Sequence, residues 1–206
     1  MVRPAQTARS ERTRLALRQA ALVRFLAQGV EETSAEQIAA DAGVSLRTFY
    51  RHFTSKHDLL FADYDAGLQW FRSALEERPS DEPVIAAVQA AIFAFPFDGD
   101  AVTKIAALRV DELDQERIVR HTRQVEAEFA TAVEARLVRT HGAAFESEAD
   151  GALQITVAAR CIAAAVFGGM EVWMTGPDRS LDELARLCSA ALASLESGNL
   201  GRLVSS

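Results

Sequence analysis

Glycine, proline and helix-capping residues divide this chain of 206 residues into segments of helical length, and no run of alternating β-branched residues competes with them. That punctuation implies an all-α fold of about nine helices. Ser10 is expected to cap a first helix that runs to Gln28 and stops at Gly29. Leu17, Ala21 and Phe25, with Leu22 beside them, give it one apolar stripe. Thr33 or Ser34 is placed to cap a short second helix over 35–41, Ser45 a third to about residue 53, and Ser55 a fourth over 56–77. Pro83 suits the first turn of a fifth helix that ends near Phe95-Pro96. Later helices are predicted over 100–113, 115–140, 147–175 and 181–196. Gly142 ends the first long one, Gly176-Pro177 the second, and Gly198 the last. Ser180 with Glu183 reads as a capping box, and the tail beyond 198 as frayed.

Composition narrows the class. With 49% hydrophobic and 25% charged residues, the chain can bury a core, which excludes an intrinsically disordered protein. Its two cysteines, Cys161 and Cys188, build neither a disulfide framework nor a zinc ribbon and point to a reducing compartment. The apolar stretch 155–174 is broken by Arg160 and Glu171, and the first residues lack a secretory signal. A cytoplasmic protein with no membrane contact is the expectation.

The net charge of −7 is unevenly spread. Residues 1–60 hold nine Lys/Arg against six Asp/Glu (+3), whereas the remainder holds 13 against 23 (−10). Six arginines precede residue 31, with Glu11 alone opposing them. A basic head on an acidic body suits a nucleic-acid contact at one end, although solvated arginines would produce the same count.

The informative stretch is 33–60, TSAEQIAADAGVSLRTFYRHFTSKHDLL. Two short helices that cross at a wide angle need small residues at the contact and a glycine at the corner. Ala39 and Ala42 supply the first, and Gly43 the second. Val44, Phe49 and Phe53 then fill a small core against Leu17, Leu22 and Phe25. This is the pattern of a helix-turn-helix, whose second helix enters the DNA major groove.

Thr33-Ser34, Ile38-Ala39, Ala42-Gly43-Val44-Ser45, Thr48-Phe49-Tyr50, His52-Phe53 and Lys56 resemble the DNA-binding signature of the TetR family of transcriptional regulators. The resemblance covers about the first 60 residues at motif level. It implies a DNA-binding domain over 1–55 with three helices, and a larger helical ligand-binding and dimerisation domain over 56–206. The implied function is a repressor that binds a palindromic, double-stranded DNA operator as a homodimer and is released by a small, largely apolar inducer. Ser45, Leu46, Arg47 and Tyr50 are then candidates for reading bases, while partial burial is the plain alternative for Tyr50. Thr33, Ser34, Thr48, His52 and Lys56 are candidates for phosphate contacts; a structural hydrogen bond or helix-end cap is the alternative for His52. Arg47 departs from the family pattern, in which many members have glycine, and its guanidinium suits guanine O6/N7 or a phosphate. Arg3, Arg9, Arg12 and Arg14 read either as a flexible arm on the DNA or as a solubilising start.

The last two helices carry small and apolar residues suited to a two-fold interface: Val157, Cys161, Ala164, Ala165, Gly168, Val172, Leu184, Leu187, Ala191 and Leu195. Packing within one chain is the alternative. By analogy with the family, the inducer cavity lies among the middle helices. Its candidate lining is Trp70, Phe71, Phe93, Phe97, Arg109, Leu113, Phe129, Phe167 and Trp173, any of which is equally at home in a core. No cofactor or metal is expected. The acidic run Asp111-Glu112-Asp114-Glu116 with His121 is the one metal-like cluster, but Glu112 and Glu116 share a face only if the helix does not break near Leu113. With no nucleophile elbow, phosphate loop or HExxH, an enzyme is not expected. The alternative is a helical small-molecule-binding protein or enzyme with a vestigial DNA-binding head.

Overall fold

The computed structural model describes residues 4–94, 99–145, 150–178 and 180–197, with side chains over 9–94, 103–142, 150–178 and 180–197. Among them are nine α-helices and one 3₁₀ helix, and no strand. The helices are α1 (Pro4–Gln28), α2 (Ala35–Asp41), α3 (Leu46–His52), α4 (Ala62–Glu77), α5 (Val84–Phe93), α6 (Gly99–Glu112), α7 (Gln115–Phe145), α8 (Gly151–Thr175) and α9 (Leu181–Glu196). The 3₁₀ helix spans Lys56–Phe61. The expected stops at Phe95-Pro96 and Gly198, the residues from 147 to 149 and the tail lie outside the described residues.

The all-α reading holds, but several boundaries move. Helix α1 begins at Pro4, so Ser10 is an interior residue and not a cap. Proline is well suited to a first helical position, where its missing N–H has no intrahelical acceptor to lose. Gly142 lies within α7, which continues to Phe145; one interior glycine costs only about 1 kcal/mol. The segment expected as a single fourth helix is a 3₁₀ helix followed by α4. At α9, Ser180 Oγ accepts from the Glu183 backbone N–H, but the Glu183 carboxylate pairs with Arg186 rather than closing the capping box.

The chain forms two compact units. The first runs to Asp63 and takes in Lys104–Ile118, so the boundary expected at 55/56 falls inside it. Its core joins Leu17, Ala21 and Phe25 of α1 to Val30, Ile38 and Ala39, to Phe49 and Phe53, and to Leu59, Leu60 and Ile105. Leu108 and Leu113 pack on that cluster, so α6 is part of the support of the short helices. Arg109 reinforces it from within. Its side chain is buried, donates to the Leu60 carbonyl at 2.8 Å, pairs with Asp63 and lies over the Phe61 ring.

The second unit comprises Tyr64–Thr103 and the chain from Val119 onward. Phe71 stacks on Phe129 at 3.9 Å, and Phe129 meets Phe167 edge-on at 5.7 Å. Helix α8 is long and apolar enough to cross a membrane by length and composition. In this unit it buries Ile155, Ala159, Ile162, Ala163, Val166, Phe167 and Trp173. It approaches α9 so closely that a Cβ on Gly169 would stand 3.1 Å from the Cys188 backbone nitrogen. Burial pushes the Cys188 thiol up to about 11, which keeps it protonated and inert. Arg136, also fully buried, donates to the carbonyls of Leu75, Arg78, Pro79 and Glu82 and so closes the end of α4.

Candidate nucleic-acid interface

Two glycines set the geometry of the short helices. Gly29 has φ +86° and donates to the Phe25 carbonyl, ending α1. Gly43 has φ +66°, a conformation that side-chain-bearing residues rarely adopt. Its N–H bonds to Ala40 and that of Val44 to Ala39, a Schellman turn that satisfies the last carbonyls of α2. The corner expected at Gly43 is therefore present, with its physical cause.

Serine caps start both helices. Ser34 Oγ accepts from the Gln37 N–H at 3.2 Å while Gln37 Oε1 accepts from the Ser34 N–H at 2.9 Å, a reciprocal capping box. Ser45 Oγ accepts from the Thr48 N–H at 3.2 Å and shares a 2.9 Å bond with the Thr48 hydroxyl. Replacing Ser34 with alanine is expected to lower stability by about 1 kcal/mol. Chemical denaturation measures this; no change in midpoint would contradict the capping role.

Helix α3 has an inner and an outer side. Phe49 is fully buried and Phe53 nearly so, as the sequence implied. Ser45, Arg47, Tyr50 and Arg51 are exposed. Tyr50, 53% exposed, rests its ring edge-on against Phe49 at 5.2 Å. Leu46 packs partly on the core, so only part of it remains for a base. Arg51 was missed as a candidate. The available signal was its spacing of four residues from Arg47, which puts two guanidinium groups on one helix face.

Two of the expected phosphate contacts make bonds within the protein, and a third turns its ring inward. Thr33 is buried and donates to the Gly29 carbonyl at 2.7 Å, tying the loop between α1 and α2. Lys56 Nζ donates to the carbonyls of Val30 and Glu31 at 2.8 and 3.0 Å, bracing the same loop. His52 turns its Nε2 inward, where it has no hydrogen-bond partner. Burial, then Arg51 and Arg14, hold its imidazole below the ordinary histidine value despite Glu11. The ring therefore favours the neutral form.

A second anchor lies beyond α3. Asp58 accepts from the Thr54 N–H and hydroxyl and the Ser55 N–H, and pairs with Arg117 at 2.9 Å. Burial alone would raise its carboxyl, but hydrogen bonds from Thr54 and Ser55 together hold it below the usual carboxylate range. Nothing in the local sequence marked Arg117 for this role, because its partner is 59 residues away.

The other expected site residues divide. Of the cavity candidates, Phe71, Phe129, Phe167 and Trp173 are buried in the second unit, and the Trp173 indole N–H donates to the Ser180 carbonyl at 2.9 Å. Trp70 and Phe93 are 39% and 44% exposed. Arg109 and Leu113 lie in the first unit, where Arg109 is held by Leu60 and Asp63. Phe97 lies outside the described residues. Of the dimer candidates, Val157, Cys161, Ala164 and Val172 are exposed on α8, together with Leu153. Ala165 and Gly168 of α8 and Leu184, Leu187, Ala191 and Leu195 of α9 are half-buried. Finally, α6 ends at Glu112 and α7 starts at Gln115, so Glu112 and Glu116 stand on different helices. Among the described residues no three His, Cys, Asp or Glu side chains gather to hold a metal.

Comparison with known proteins bears on the interface directly. Residues 17–62 match the model of the family described as bacterial regulatory proteins, tetR family. HTH-type transcriptional regulator TcmR of Streptomyces glaucescens is 45% identical over 80 residues, 39% of this chain. The chain thus spans 35% of the length of that relative. SmeT, the repressor of the Stenotrophomonas maltophilia multidrug efflux pump SmeDEF, has a similar fold, with a TM-score of 0.54 and 22% identity. That likeness covers 87% of this chain and 86% of SmeT. The matched residues 17–62 include α2, α3, their capped turn and the 3₁₀ helix. Over residues 17–62 the chain is thus similar to the tetR family of bacterial regulatory proteins.

Proposed function

We propose that the chain is a transcriptional repressor that binds a palindromic DNA operator as a cytoplasmic homodimer and is released by a small, largely apolar ligand. The observation that carries the reading is the exposed face of α3. Arg47, Tyr50 and Arg51 project from a helix whose other side is locked by fully buried Phe49. A guanidinium suits the O6/N7 edge of guanine, and a phenol can meet a base edge or a thymine methyl. Ser34 and Thr48 remain suited to phosphate contacts beside it.

One such helix reads few base pairs, and a two-fold pair reads two half-sites roughly 34–36 Å apart. The apolar stripe of α8 supports self-association. Leu153, Val157 and Val172 are 61%, 49% and 56% exposed, and Cys161, Ala164 and Gly168 continue the same face. The aromatic cluster Phe71–Phe129–Phe167 supports the site of an apolar ligand in the second unit. Release would follow if the ligand favours a geometry in which the two heads no longer match the half-site spacing.

The test is selection of duplexes from a randomised pool by the full chain, followed by competition with scrambled DNA. The reading expects a palindrome and strong preference for it; equal affinity for scrambled DNA would contradict it. Arg47→Ala is expected to relax discrimination at one base step by about 1–3 kcal/mol. A uniform loss of affinity across all sequences would instead place Arg47 on a phosphate.

A further inference from the structure

Helix α8 has 25 residues and two charged side chains, Arg160 and Glu171. Both are exposed, and neither forms an ion pair among the described residues. They are 11 residues apart, close to three helical turns, which puts them on one side of the helix and about 16 Å apart along its axis. Charges on one helix pair when three or four residues separate them, so these two are too distant to meet within a chain. Their angular positions place them along one edge of the apolar stripe, where Val157 and Val172 are 49% and 56% exposed.

The midpoint between the two charges falls between residues 165 and 166. Ala164, Ala165 and Gly168 surround it, and small side chains let a second helix approach closely. Arg160 and Glu171 are equidistant from that midpoint. An antiparallel copy of α8 centred there sets each arginine level with the glutamate of the other copy. A two-fold axis perpendicular to both helices also keeps like edges together, so the opposite charges meet. A parallel copy would set arginine against arginine, which repels.

We propose that α8 pairs with α8 of a second copy in antiparallel register, centred between residues 165 and 166, and that two reciprocal Arg160–Glu171 ion pairs select that register and that partner. The inference rests on the homodimer reading given above and assigns the specificity of its interface. Apolar burial supplies most of the association but is non-directional, so it tolerates sliding along the axis. The charges do not: a slip of one turn moves each arginine about 5 Å from its glutamate.

Sedimentation velocity of the full chain at low ionic strength tests this. Arg160→Glu and Glu171→Arg are each expected to weaken self-association at least about tenfold, because the two-fold turns two attractions into two repulsions. The chain carrying both reversals is expected to recover the original dissociation constant to within about threefold. Mixing the two single variants is expected to give mainly heterodimers by native mass spectrometry, since both pairs are complementary again. Arg160→Gln and Glu171→Gln are milder forms; each is expected to weaken association, and their combination to add nothing further. Circular dichroism is expected to show unchanged helix content throughout, as both positions are exposed. Dimers indifferent to either reversal, or reversals that their combination does not rescue, overturn the register and leave the homodimer reading standing. An unaltered chain that sediments as a monomer overturns both.

Discussion

Ala164→Glu is expected to yield a folded monomer whose affinity for the selected palindrome falls by at least about 100-fold, or roughly 3 kcal/mol. Ala164 is exposed in the middle of the α8 stripe, so the substitution leaves the interior of the unit untouched. In a two-fold pairing of α8 and α9, the same position lies between two chains. There each copy would bury a carboxylate without a partner, which costs several kcal/mol. Losing the pairing also removes the second reading helix, and with it the avidity of two linked contacts. Sedimentation velocity reports the assembly state, circular dichroism the fold, and anisotropy the affinity. A variant that remains dimeric and binds normally would place the interface elsewhere.

Arg109→Ala is expected to destabilise the first unit by about 2–4 kcal/mol, because a buried guanidinium that pairs with partly exposed Asp63 is removed. The loss has identifiable parts. The Leu60 carbonyl loses its donor, the Asp63 carboxylate loses its cation, and a cavity opens beside Phe61. Since Leu60 and Ile105 belong to the same core as Phe49, the damage reaches the helix that presents Arg47 and Tyr50. Chemical denaturation should show the shift, and DNA affinity should fall with it. A change below about 1 kcal/mol would mean that the pair is a surface-like contact.

Much of this domain was legible because its signals are local. A glycine with positive φ, a serine followed three residues later by a backbone or side-chain partner, and phenylalanines at helical spacing each act within one turn. Gly29, Gly43, Ser34, Ser45, Phe49 and Phe53 were all readable for that reason. The roles of Thr33 and Lys56 were not. Their spacing suits a phosphate, yet the carbonyls of Gly29, Val30 and Glu31 accept from them. A buried or strained loop must satisfy its own backbone before its side chains face a ligand.

The differences elsewhere share a cause. Family analogy alone puts Arg109 among the cavity residues, whereas its bonds run to Leu60 and Asp63, 49 and 46 residues away. The inclusion of α6 in the first unit depends on the same distant contacts, and no composition change marks it. The ends of α1 and α7 moved because Ser10 and Gly142 carry weak preferences that a long helix overrides.

The claim on which the functional account depends is that two copies of α3 read one duplex at a fixed spacing. Inserting five base pairs at the centre of the selected palindrome turns one half-site by about half a helical turn, to the opposite side of the DNA. The account predicts that affinity measured by anisotropy collapses to that of a single half-site. Unchanged affinity for the lengthened duplex, with one chain bound, would contradict it.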